Sequence, residues 1–181
     1  MKRVSALILG LSILAGACGG SSPTEPAAGT TSTSTFTVPL SPANEVPAVT
    51  NADAAASGTA IIALSVTKDS GGSITSATAN FQITVTGFPA GTTVTDAHIH
   101  NAPAGSNGGI VINATLGSGE LALVNGSGSI TKNGINVPAD RAAAILSNPS
   151  AHYFNVHTAL NPDGAIRGQL ATGTVTGGVG Y

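Results

Sequence analysis

Tryptophan is absent from this chain of 181 residues, cysteine and methionine occur once each, and charged residues make up only 8%. A single cysteine excludes an internal disulfide and a zinc site built on several thiolates. The scarcity of Lys and Arg excludes a nucleic-acid surface, which needs a basic patch or stripe. No phosphate-binding Gly loop with Lys and no G-x-S-x-G nucleophile turn occurs, and the scattered carboxylates form no pair suited to glycoside hydrolysis. The longest apolar run, residues 4–14, is too short to span a bilayer as a stable helix.

What the chain does have is 24 Gly and many Ser and Thr residues, a composition suited to short strands joined by tight turns. The start is a targeting segment: Lys2 and Arg3, the apolar run, then Ala15-Gly16-Ala17 before Cys18. Residues 1–17 are therefore predicted to be a signal peptide. Residues 18–35, "CGGSSPTEPAAGTTSTST", lack apolar periodicity and predict a flexible tether. As a random coil, such a tether has a root-mean-square reach of roughly 20 to 25 Å. Removing Lys2 and Arg3 leaves four basic residues against eight acidic ones, a formal charge of −4.

A domain is predicted over residues 36–181. In "SATANFQITVTGF", Ala79, Phe81, Ile83 and Val85 alternate with Asn80, Gln82, Thr84 and Thr86, the pattern of a half-buried antiparallel strand. Shorter runs of this kind recur, separated by turns such as "KDSGG" and "TKNGIN". One segment, "VPADRAAAILSNP", predicts a short helix over residues 138–147, with Pro138 where a first turn tolerates it. The expected fold is all-β: an antiparallel sandwich or Greek-key barrel of about eight strands with that one helix.

The four histidines carry the main chemical signal. Strand alternation in "DAHIHNAPAGSNGGIV" puts Asp96, His98 and His100 on one face, and in "HYFNVHTAL" it groups Tyr153, Asn155 and His157. Same-face neighbours in a strand lie about 6.6 Å apart, so imidazoles leaning together can reach one ion at about 2.0 to 2.1 Å. His98, His100 and His157 are thus candidate ligands for copper or zinc, with Asp96 and Asn155 as supporting residues. The plainer alternative is a set of histidines bonded to loop backbone. Glu45 and Arg167, in a domain this poor in charge, are expected to pair and lock the first strand to the last. His152 is expected to be structural.

Two resemblances add to this reading. The segment "LAGAC" is similar to the lipobox of bacterial lipoproteins, which implies lipid attachment at Cys18, export across the inner membrane, and an anchor at a periplasmic or cell-surface face. "LSPANEVPAV" (40–49), "AHIHNAPAGSNGGIV" (97–111) and "YFNVHTALNPDGAIRGQL" (153–170) together resemble the CHRD, or chordin-type, domain family. Ala165 stands where that family usually has Glu before "IRGQ". The resemblance implies a β domain and a non-catalytic binding or structural role toward a protein or cell-surface ligand; the alternative is a metal-binding, redox-active protein. The order "HIH", "NVHT" and "GAIRG" also resembles that of the copper-ligand histidines and active-site arginine of Cu/Zn superoxide dismutase. The chain lacks the further His and Asp cluster for a bridged zinc site and the cysteine pair, so dismutase activity is not expected.

Overall fold

The computed structural model describes residues 29–177. Cys18 and the leader lie outside the described residues. Strand β1 spans Thr30–Leu40, β2 Ser57–Lys68, β3 Ile74–Thr86, β4 Val94–Asn101, β5 Gly109–Asn113, β6 Gly128–Asn136, β7 His152–Thr158, β8 Ile166–Gln169 and β9 Thr174–Gly177. A single α-helix among the described residues, α1, covers Ala139–Ser147. The strands form two antiparallel sheets, one ordered β6-β3-β2-β1-β9 and the other β5-β4-β7-β8. The fold is all-β as expected and, of the sandwich and barrel anticipated, it is the sandwich, with nine strands among the described residues where about eight were expected.

Alternation builds the core. Phe36, Val38 and Leu40 on β1, Ile62, Leu64 and Val66 on β2, and Phe81, Ile83 and Val85 on β3 are buried. They face Ala97, Ile99, Phe154, Val156 and Ile166 of the second sheet in one cluster. Phe81 and Phe154 stack across the sandwich with centroids 5.8 Å apart. On the other side of the first sheet, hydroxyls meet in cross-strand pairs. Thr31 and Thr67 lie 3.1 Å apart, and Thr33 and Ser65 2.7 Å.

Those pairs alter one boundary. Residues 30–35, read as tether, are the first half of β1, because their Thr and Ser residues favour extended backbone and β2 supplies a full ladder of partners. The chain then links the two sheets by its backbone. Ser41 N–H donates to the Arg167 carbonyl at 3.0 Å and Arg167 N–H to the Ser41 carbonyl at 3.1 Å.

In the second sheet both faces are covered, so all seven residues of β7 are buried. One face meets the core; the other lies beneath the loop after β4, the β7–β8 loop and the segment after β1. Asn107 ties two of these covers together, donating through Nδ2 to the Val46 carbonyl.

Candidate metal centre

Strands β4 and β7 are neighbours, and their register sets Asp96 opposite His157, His98 opposite Asn155 and His100 opposite Tyr153. Diagonal neighbours in such a ladder lie about 7 to 8 Å apart between Cα atoms, which brings His98 and His157 within reach of each other. The covered face therefore gathers His98, His100 and His157, all buried, with one nitrogen of each within 4.8 Å of the others. A bulge between Ile99 and His100 in the β4–β5 pairing adjusts the strand locally.

The hydrogen bonds of these rings fix which nitrogen carries a proton. His100 Nδ1 lies 2.9 Å from the Gly108 carbonyl, and His157 Nδ1 lies 2.8 Å from the Pro162 carbonyl. A carbonyl only accepts, so both Nδ1 atoms are protonated donors. His98 Nε2 lies 3.0 Å from Asp96 Oδ2 and donates to that carboxylate. The inward atoms are then His98 Nδ1, His100 Nε2 and His157 Nε2, each offering a lone pair. His98 Nδ1 and His157 Nε2 are 3.0 Å apart, and His100 Nε2 is buried without a partner. Asn155 Oδ1, 3.0 Å from His157 Nε2, adds another acceptor.

Electrostatics favour the neutral forms of His98 and His100. Burial holds His98 and His100 below the usual imidazole range; the Asp96 carboxylate opposes this at His98, and the hydrogen bond to Gly108 opposes it at His100. Neutral imidazole is the form that binds metals. A cleft of about 420 Å³, lined in part by Asp96, His98, Ile110, His157 and Pro162, leads from solvent to the cluster.

Aromatic stacking braces the third histidine. The His100 ring lies parallel to Tyr153 with centroids 4.7 Å apart and planes 2° apart. Arg167 lies near Tyr153, with Cζ 3.3 Å from that ring's centroid. Arg167 is 1% exposed, and its guanidinium donates to Asn107 Oδ1 at 3.1 Å, the Ser106 carbonyl at 2.6 Å and the Pro103 carbonyl at 3.3 Å.

That bonding corrects the expected Glu45–Arg167 pair. Among the described residues the ion pairs within 4.0 Å are His98–Asp96, Lys132–Glu120 and Arg141–Asp140. The Arg167 donors are drawn to the loop after β4 instead, and the end of β1 is joined to β8 by the backbone bonds between Ser41 and Arg167. Glu45 is buried against Gly164 and faces the Asn155 amide, with Arg167 near enough to act through its field. Burial pushes the Glu45 carboxyl up to about 7, against the lowering effects of Arg167 and Asn155. His152 stands apart, its Nδ1 3.0 Å from the Asn148 carbonyl, a structural bond.

The carbonyls of Gly108 and Pro162 that accept from the rings have no residue-type signature in the sequence. Tyr153 shares the face of Asn155 and His157 by alternation, and the structure adds its stacking on His100. Over residues 36–170 the sequence matches the CHRD domain family. No curated protein and no solved structure matches the chain.

Proposed function

The chain belongs to the CHRD domain family, and on that premise we propose that its domain is a non-catalytic metal-binding module holding one copper or zinc ion on His98, His100 and His157. The observation that carries this reading is the proton inventory. Asp96, Gly108 and Pro162 take the outward N–H of each ring, and three lone pairs are left facing one another. Partners of this kind orient metal-bound histidines and raise their basicity. Imidazole ligands suit both copper and zinc, and the affinity order of divalent ions favours Cu²⁺.

In the same reading Cys18 carries lipid, and the Ser/Thr/Gly/Pro segment after it sets the domain off an extracytoplasmic membrane face. The "LAGAC" stretch supports this part.

Titration of the purified protein with Cu²⁺ and Zn²⁺, beside His98→Ala and His157→Ala variants, tests the metal reading. The expected result is one ion per chain, bound tightly by the wild type and lost in both variants. Equal, weak binding by all three proteins overturns it and leaves a module for a protein or cell-surface ligand.

A further inference from the structure

Glu45 and Asn155 form a buried polar pair that the three imidazoles do not require. Glu45 is 7% exposed and Asn155 1%. Glu45 Oε1 and Asn155 Nδ2 are both buried without a hydrogen-bond partner, although the amide faces the carboxyl. Two unmet groups this close to each other are costly, because a buried polar atom loses its hydration and is almost always hydrogen-bonded in compensation.

The Asn155 amide has two orientations that meet these groups differently. In the orientation described, Oδ1 turns toward His157 Nε2, 3.0 Å away, and Nδ2 toward Glu45. With a cation held by the imidazoles this is favourable, since Oδ1 adds negative potential beside the ion and Nδ2 donates to an ionised Glu45. Without a cation, two acceptors confront each other at 3.0 Å. Turning the amide over then lets Nδ2 donate to His157 Nε2 and puts Oδ1 against Glu45, where it needs a protonated carboxyl as donor.

From this geometry we infer that Glu45, acting through Asn155, is a proton-exchanging positioning residue of the metal centre: it holds a proton in the metal-free protein and releases it as the ion seats. This rests on the metal reading above. The balance is one ion in and one proton out: the Glu45 O–H bond breaks, its electron pair stays on the carboxylate, and the proton leaves to solvent. The incoming positive charge is thereby partly compensated inside a poorly solvated region.

The surroundings of Glu45 agree. Gly164 leaves the carboxyl its space, because a Cβ there would stand 2.5 Å from Glu45 Oε1. The charged or titratable groups around it are Arg167 on β8, whose field favours the ionised form, and Asp163 on the β7–β8 loop, which together with Glu45 lines a cavity of about 320 Å³. From β7 it meets the neutral Asn155. Burial outweighs Arg167 and keeps the carboxyl in the range where a proton is exchanged near neutral pH.

Calorimetric titration of the full chain with Zn²⁺ alone at pH 6, in two buffers of different ionisation enthalpy, counts the protons released per ion. The expected count falls by about one from wild type to Glu45→Gln, whatever the affinity of each, since a single proton is coupled to binding. A second reading uses the wild type alone: a protonated-carboxyl infrared band present before zinc and lost after it. Equal proton release with zinc bound, or a band unchanged by zinc, overturns the role of Glu45 while leaving the metal centre standing. Failure of the wild type to take up zinc overturns both. If Glu45→Gln itself takes up no zinc, the infrared band decides.

Discussion

His98 Nδ1 and His157 Nε2 face each other at 3.0 Å across neighbouring strands, and neither has a proton to give the other, because the opposite nitrogens spend theirs on Asp96 and Pro162. Such a contact is unfavourable without a cation between or beside the rings. Metal binding is therefore expected to stabilise the fold as well as fill a site. At a free zinc concentration a hundred times the dissociation constant, the stabilisation is about 2.7 kcal/mol. Denaturant unfolding with and without zinc measures it, and a chelator is expected to reverse it.

The carboxylate behind His98 is expected to matter without touching the ion. Asp96→Asn removes the negative acceptor at His98 Nε2. Loss of a supporting partner of this kind typically costs 10 to 100-fold in affinity, so a fall of about that size is expected in a zinc titration. An affinity equal to wild type would show that Asp96 plays no part in orienting the ring.

Glu45 gives the metal-free protein a pH signature. Its folded-state pKa is raised to about 7 from 4.5, so between those values the folded state binds more protons than the unfolded one. Stability from this group is full below pH 4.5 and is lost as pH rises through 7. The loss amounts to about 3 kcal/mol if the shift is fully expressed. His98 and His100 act in the opposite sense, because lowered imidazole values cost stability as pH falls below 6.5. The difference between wild type and Glu45→Gln isolates the carboxyl: the wild type is expected to lose stability relative to the variant from pH 5 to pH 8. A constant difference over that range would contradict a raised Glu45.

The two sheets depend on Phe154, which is fully buried and stacks on Phe81. Phe154→Ala is expected to cost about 3 to 5 kcal/mol in denaturant unfolding through lost apolar burial and the cavity left behind. A cost below 1 kcal/mol would contradict a sandwich packed through this contact.

Lipid attachment at Cys18 makes a separate expectation. The protein expressed with its leader is expected to partition into detergent and to incorporate labelled fatty acid, and Cys18→Ser to abolish both. Incorporation unaffected by the substitution would contradict anchoring at this residue.

Much of the architecture was legible because alternation and burial coincide. Ala79, Phe81, Ile83 and Val85 read as an inward face and lie inward. The three histidines were legible as a face-sharing pair on one strand and a third on another, and only the β4–β7 pairing brings them together. Residues 30–35 hid their strand because Ser and Thr suit both tethers and sheet surfaces, and the pairing with β2 decides between them. Arg167 misled for a related reason. Scarcity of charge pointed to Glu45 as its partner, yet backbone carbonyls of the loop after β4 satisfy a guanidinium equally well and have no side-chain signature.

The most direct measurement of the proposed metal centre is X-ray absorption at the metal edge of the protein loaded with one equivalent of zinc or copper. Three imidazole nitrogens at about 2.0 to 2.1 Å, with the multiple scattering of histidine rings, are expected. A shell of oxygen ligands with fewer than two imidazoles would contradict a centre made of His98, His100 and His157.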